Sequence, residues 1–365
     1  MRSSRPPRIV GLFPPIDAGV IGGVQASGRL AWEAIMQAAA DWTPPDRSPR
    51  LLTWGTARPD GATWGRLRTM ARLLGGRWSG ATVLVWHLAL LRLVPLLRAR
   101  GSRVVVFLHG IEAWRPPDRL THRLLRRVDL FLSNSRHTWD RFLAYVPEAE
   151  TRPHRTVHLG IGSALPAPPA DPDPTPVAVA VSRLLRAEDY KGHRELLAAW
   201  PLVLRHQPEA TLWIVGEGDL RRDLERDAAR RGLGERVRFW GAVSESQKER
   251  LLARARCFVL PSRLEGFGLV YVEAMRLGRP CLVSPFDAGV EVVDPPGAGL
   301  SADPGDPGAL AEALGRLLSP GSEWARWSLT ARERYERHFT ARHFQDRVLA
   351  ALSLEPVRVE VVEWA

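Results

Sequence analysis

Residues 260–275 read Leu-Pro-Ser-Arg-Leu-Glu-Gly-Phe-Gly-Leu-Val-Tyr-Val-Glu-Ala-Met, two carboxylates, Glu265 and Glu273, with Gly266 and Gly268 between them. The apolar run Cys257 to Leu260 stops at Pro261 and Ser262, and Leu269 to Leu277 has the pattern of a helix. A strand, a glycine-bearing loop and a helix N-terminus suit a phosphate, because exposed N–H groups and the positive end of the helix dipole point at it. Glycine lets backbone approach a ligand closely. Carboxylates beside such a site can grip hydroxyls, so the ligand implied is a sugar attached to phosphate. Two other readings compete: helix-entry acids that complement the dipole, and the acid/nucleophile pair of a glycosidase. The latter needs carboxyls about 5–10 Å apart across one bond. Eight residues of helix span about 12 Å, and Glu273 lies one to two turns inside, so ligand-holding roles fit better.

A phosphate also calls for cations. The run from Arg183 through Arg186, Glu188, Asp189 and Lys191 to Gly192 follows an apolar strand. Lys191 is one of two lysines in a chain with 49 arginines. At a strand end before a glycine it suits a point charge reaching a phosphate, with Arg183 or Arg186 supplying the bidentate fork. The plain alternative is an ion-paired turn built with Glu188 and Asp189. His109 ends another apolar run and precedes Gly110 and Glu112. A lone histidine is more often structural, but the strand-end position marks it as a candidate. Gly22 and Gly23 open the first helix and could turn N–H groups toward an anion, although they are not the spaced dinucleotide fingerprint. No Cys/His cluster or Asp-x-Asp of metal-ligand character stands out, nor does a Ser-His-Asp arrangement.

These residues need elements to hold them. Brief apolar runs at 8–13, 51–54, 82–87, 104–109 and 129–133 alternate with helical stretches at 25–40, 64–74, 89–100 and 119–126. Such alternation implies a parallel sheet with helices on both faces. Residues 164–176 contain six prolines; proline fixes φ and removes a donor, so this is an extended linker and a domain boundary. A second series follows: strands at 177–182, 211–215, 237–240, 257–260 and 280–284, with helices at 193–206, 220–231 and 246–254 between them. The tail from Trp324 to Leu354 is helical and amphipathic. The expected division is 1–165, a linker at 166–176, a second domain at 177–335, and a C-terminal helix within 336–365.

At 365 residues, with 45% hydrophobic and 25% charged content, the chain has the composition of a two-domain globular protein. Cys257 and Cys281 sit in apolar runs and read as buried thiols in a reducing cytosol. The apolar stretch 81–97 contains His87, Arg92 and Pro95, and reads as a strand and buried helix rather than a membrane span. No signal peptide is apparent. The net charge of +11 is uneven: residues 1–165 carry 24 Arg against 11 Asp and Glu, and the rest 27 Arg and Lys against 29. Such a half favours an anionic partner. Arg119, Arg123, Arg126 and Arg127 fall at helical spacing near Leu120, Leu124 and Leu125, an amphipathic pattern fit for an anionic membrane surface or for an ordinary solvated face.

Taken together, these residues resemble the retaining GT-B glycosyltransferases of family 4, the group 1 glycosyl transferases. The most specific element is Glu265 to Glu273 with Gly-Phe-Gly inside. It is joined by Arg183 with Lys191-Gly192, by Ile214-Val-Gly216-Glu-Gly218, by Phe239 to Ala242, by Gly289-Val-Glu291-Val-Val, and in the first half by His109-Gly110-Ile-Glu112 and Gly22-Gly23. The resemblance spans most of residues 8–320. It implies an α/β fold of two Rossmann-like domains facing across a cleft, the first binding the acceptor and the second a nucleotide-diphospho-sugar. Arg183 and Lys191 would neutralise the diphosphate without a metal ion or other cofactor. Glu265 would hold hydroxyls of the transferred sugar, aided by Gly266 and by the N–H groups of Phe267 and Gly268. Leu269 and Val270 would face the phosphates, and Glu273 the ribose. His109 would lie by the donor sugar, Gly22-Gly23 would meet the diphosphate, and the tail helix would cross back to the first domain. Retention without a covalent intermediate is expected. Arg186 competes with Arg183 for the diphosphate.

The leading expectation is therefore a retaining glycosyltransferase acting on a glycan, lipid-linked or small-molecule acceptor, cytoplasmic and peripheral at most at the membrane. The alternatives are a GT-B nucleotide-sugar epimerase and a basic nucleic-acid-binding protein. Scattered arginines and the lack of a recognisable binding module speak against nucleic acid.

Overall fold

The computed structural model describes residues 8–16, 22–40, 48–54, 62–75, 79–98, 101–165 and 171–353. They fall into two compact units, Met1–Gly160 with Ala341–Ala365, and Ile161–Thr340.

The first unit carries six parallel strands: β1 (Ile9–Phe13), β2 (Arg50–Thr53), β3 (Thr82–Val85), β4 (Arg103–Leu108), β5 (Leu130–Ser133) and β6 (His154–Thr156), in the order β2-β1-β3-β4-β5-β6. Helices α1 (Gly23–Ala40), α2 (Ala62–Gly75), α3 (Val94–Arg98), α4 (Arg119–Leu125) and α5 (Arg136–Leu143) connect them. Strands β1, β3 and β5 are buried at every residue, which is why they read as unbroken apolar runs rather than alternating ones. The helix expected at 89–100 differs. Leu88–Leu93 is a 3-10 turn, begun by His87 accepting from the Ala89 N–H, and α3 starts only at Val94. Pro95 then occupies the first turn, where its missing N–H has no intrahelical partner to lose.

The second unit has strands β7 (Val177–Val181), β8 (Thr211–Val215), β9 (Val237–Gly241), β10 (Cys257–Val259), β11 (Cys281–Val283) and β12 (Gly299–Ser301), all parallel, in the order β12-β11-β10-β7-β8-β9. Its helices are α6 (His193–His206), α7 (Arg221–Arg230), α8 (Glu245–Arg254), α9 (Leu269–Arg276), α10 (Gly289–Val293), α11 (Pro307–Leu318) and α12 (Ser322–His338). Trp200, Leu196, Leu212, Ile214, Leu314 and Trp327 belong to a contiguous core that joins this sheet to its helices. Both cysteines are free and buried. Of the proline-rich segment, Asp173 is anchored to this unit by Arg254 at 2.7 Å.

The tail is two helices. Phe339 caps α12, and α13 (Ala341–Leu352) belongs to the first unit, with Gln345 Nε2 donating to the Leu30 carbonyl of α1 at 3.4 Å. Among the described residues no helix is long and apolar enough to cross a membrane.

Candidate active site

In open α/β sheets ligands collect where the strand order reverses, because loops from neighbouring strands there diverge to opposite faces and leave a crevice. In the second unit that point lies between β7 and β10, which pair through Val179 and Phe258. The loop after β7 carries Arg183, Arg186 and Lys191; the loop after β10 carries Glu265.

Close backbone approach locks the two loops together. Gly192 has φ +84°, and a Cβ there would stand 2.4 Å from the Pro261 carbonyl oxygen. The Arg263 N–H donates to the Tyr190 carbonyl at 3.0 Å. Across the base of the β7 loop, Ser182 Oγ meets His193 Nε2 at 2.7 Å. Burial, helped by Lys191, pulls the His193 pKa down to about 4, so the ring stays neutral.

Lys191 and Arg183 converge on one carboxylate. Arg183 pairs with Glu188, and Lys191 Nζ lies 3.2 Å from Glu188 Oε2. Lys191 and Glu188 are largely sheltered, whereas the Arg183 side chain is 68% exposed. Arg186 turns the other way, to Asp223 on α7 at 2.6 Å. Asp189 joins Arg194 at 2.8 Å. The ion-paired turn and the cation pair read from the sequence are thus one structure.

Glu265 is half-buried beside them. Burial raises its pKa; Lys191 opposes the rise, Glu188 adds to it, and Arg183 opposes it. Its loop is pinned from below by Asp287, which is fully buried. Asp287 Oδ2 accepts from the Glu265 N–H at 3.2 Å and Oδ1 from the Gly289 N–H at 2.8 Å. Burial, then the charge of Glu265, pushes the Asp287 carboxyl up to about 8. The Ala288 N–H returns a bond to the Glu265 carbonyl at 3.1 Å.

Gly266, Phe267 and Gly268 are buried, and Phe267 packs edge-on to Phe339 at 5.9 Å. Gly268 caps α9 at φ +81°, where a Cβ would lie 2.4 Å from the Tyr271 ring. Having no side chain, it leaves the amides of the first turn, Leu269 and Val270 among them, without a side-chain cap. Such a helix start presents N–H groups and the positive end of the helix dipole, the chemistry that suits an anion. Four residues on, Glu273 is paired with Lys248 of α8 at 2.8 Å.

In the first unit, His109 follows β4 and is 9% exposed. Its Nε2 lies 2.7 Å from the Trp86 carbonyl. A carbonyl can only accept, so Nε2 carries the proton and Nδ1 is left as the acceptor. Burial lowers its pKa to about 4 despite Glu112, which accepts from the His109 N–H at 2.6 Å. Gly22 and Gly23 are exposed at the start of α1, with the Ala26 N–H bonded to the Gly22 carbonyl at 2.9 Å.

Sequence reasoning missed three residues of the second unit. Lys248 had a signal, as the other lysine of the chain. His193 directly follows Gly192 but gave none of its own. Asp287 has none in a single sequence, because only folding shows that it lies under Glu265.

Residues 175–320 match the family model described as glycosyl transferases group 1. A Mycolicibacterium smegmatis GDP-mannose-dependent alpha-(1-6)-phosphatidylinositol monomannoside mannosyltransferase is 30% identical over 272 residues, covering 68% of this chain and 70% of the relative. A Corynebacterium glutamicum GDP-mannose-dependent monoacylated alpha-(1-6)-phosphatidylinositol monomannoside mannosyltransferase is 29% identical over 277 residues, 71% of this chain and 72% of the relative. Among solved structures, Anabaena HepE in complex with UDP superposes with a TM-score of 0.72 at 19% identity, covering 95% of this chain and 99% of that one. Sucrose-phosphate synthase from Thermosynechococcus elongatus gives 0.72 at 20% identity, covering 93% and 96%.

Proposed function

The chain belongs to the group 1 glycosyl transferases and has their GT-B fold, and on that premise we propose that it moves a sugar from a nucleotide-diphospho-sugar to an acceptor with retention of anomeric configuration. One observation carries this reading: Lys191, Arg183 and Glu265 come together where β7 and β10 part, beside the uncapped start of α9.

The chemistry follows from charge. Cleavage of the bond between sugar and diphosphate leaves one added negative charge on the β-phosphate of the leaving group, and preorganised donors aimed at developing charge lower the barrier. Lys191 and Arg183, with the Leu269 and Val270 amides, take that role, and no metal ion is required. Arg183 is favoured over Arg186 because it shares Glu188 with Lys191, while Arg186 is committed to Asp223. Glu265 accepts from hydroxyls of the transferred sugar, and Glu273 holds the ribose. The acceptor attacks from the face that the diphosphate leaves, with no covalent enzyme intermediate. His109 is neutral at pH 7, so a substrate contact through its ring is that of a neutral imidazole.

The acceptor proposed is anionic or lipid-linked, and the enzyme cytoplasmic and peripheral on an anionic membrane. In support, Arg119, Arg123, Arg126 and Arg127 are exposed and make no ion pair with any described residue, and Leu120 between them is 49% exposed. The protein should co-sediment with anionic vesicles at low salt and be released at high salt; no binding at low salt would sink the membrane reading.

A thermal-shift panel of GDP-, UDP- and ADP-sugars tests the donor site, headed by GDP-mannose, which the relatives' names contain. At least one should stabilise the protein more than its bare nucleoside diphosphate does. Stabilisation by none, or equal stabilisation by pyrophosphate, overturns the assignment. The anomeric configuration of the product, read by NMR, tests retention, and turnover unchanged by a chelator tests metal independence.

A further inference from the structure

In a chain of 49 arginines, both lysines stand against the Glu265–Glu273 element. Lys191 acts on Glu265; Lys248, from α8, reaches Glu273 on α9. The Lys248 ammonium lies 2.9 Å from Glu273 Oε1, as a hydrogen bond, and 2.8 Å from Oε2. It also meets Glu245 at 2.8 Å, but that carboxylate is 81% exposed, and exposed pairs contribute little. The contact with Glu273 is the sheltered one, with side chains 17% and 22% exposed.

Glu273 Oε2 is shielded from water and faces the Lys248 ammonium at 2.8 Å, so Lys248 is what compensates its charge. The charged groups acting on Glu273 are Lys248, Glu245 and Glu249, all on α8. Burial pushes its pKa up, Lys248 pulls it down, and the two carboxylates push it up again. A buried carboxylate robbed of its cation protonates, and a protonated acid presents an O–H where a sugar hydroxyl needs an acceptor. The residue type also matters. A guanidinium is longer and holds a carboxylate through a planar fork, so it would set Glu273 in a different place from the compact ammonium point charge.

We propose that Lys248 is a positioning residue for the donor site: it fixes the Glu273 carboxylate and keeps it ionised, so that Glu273 accepts hydrogen bonds from the ribose hydroxyls. This rests on the assignment of Glu273 to the ribose.

Calorimetric binding of UDP and GDP, each beside its 2′,3′-dideoxy counterpart, tests it on the full chain between pH 6 and 9. For the nucleotide that binds more tightly, the wild type should prefer the ribo form by about tenfold or more, the scale of a hydrogen bond to a charged group. Lys248→Gln should lose most of that preference by weakening the ribo form alone, and recover it as pH rises and favours the ionised Glu273. Lys248→Arg should lower the preference without pH dependence. If Lys248→Gln keeps the full ribo preference at every pH, Lys248 merely packs α8 on α9 and the proposal fails. A wild type blind to the ribose hydroxyls instead removes the ribose role of Glu273, and the proposal with it. Should Lys248→Gln unfold, Lys248→Arg decides: a reduced preference supports the proposal and an unchanged one overturns it.

Discussion

At the residue scale the proposed donor site is a balance of charges. Two cations share Glu188, and Glu265 stands beside them with a raised pKa. An incoming diphosphate brings more negative charge than Glu188 supplies, and it meets a sheltered lysine that water screens poorly. Lys191→Ala should therefore weaken every nucleoside diphosphate and nucleotide-sugar alike, by roughly 10- to 100-fold, as for loss of a charge-assisted hydrogen bond. Calorimetry checks this, and selective loss for one base would contradict it. Glu265→Ala should differ in kind: it should weaken intact nucleotide-sugars more than bare diphosphates, because its proposed partner is the sugar. Equal loss for both ligands would remove it from the sugar.

At the element scale, the site depends on two loops that touch through backbone. Gly192 allows this twice, by its left-handed φ and by the absence of a Cβ against Pro261. Gly192→Ala should destabilise the second unit by about 2 kcal/mol or more. It should also shift Lys191, so that the melting temperature and pyrophosphate affinity fall together. A stable variant with intact affinity would show that the contact does not set Lys191. The elements themselves were largely legible, since buried parallel strands read as apolar runs. The 3-10 turn at Leu88–Leu93 was not, because its apolar residues suit either helix and only the turn at His87 distinguishes them. Helices α5 and α11, strands β6 and β12 and the break in the tail at Phe339 also escaped. The two extra strands are three residues each, too short for a period to register.

At the scale of the whole molecule, both units hide neutral histidines: His109 and His154 in the first, His193 in the second, all with pKa values lowered to about 4 by burial. In the unfolded chain a histidine titrates near 6.5. The folded value is depressed, so this stability is fully present above pH 6.5 and drains away as pH falls toward 4. Its upper bound is roughly 3 kcal/mol for each ring. Both units should lose melting temperature across that window, and His109→Gln and His193→Gln should each flatten the fall. A profile flat from pH 7 to 4 in the wild type would contradict the burial of neutral rings.

The sequence alone determined which residues to propose for a sugar on a diphosphate. Glu265, Glu273, Lys191 and the glycines are local: their types and their place at the ends of apolar runs follow from backbone chemistry that a chain carries in its order. It also determined the doubly wound class, because alternating apolar runs and helices leave few other layers. What only the tertiary structure decided are the pairings between residues far apart in the chain. Strand order put β7 beside β10 and so brought Lys191 to Glu265. Folding turned Arg186 to Asp223, set Asp287 under the Glu265 loop, and laid Lys248 on Glu273. No spacing encodes these contacts, since each depends on how two elements pack and on the burial that makes a single charge between them count.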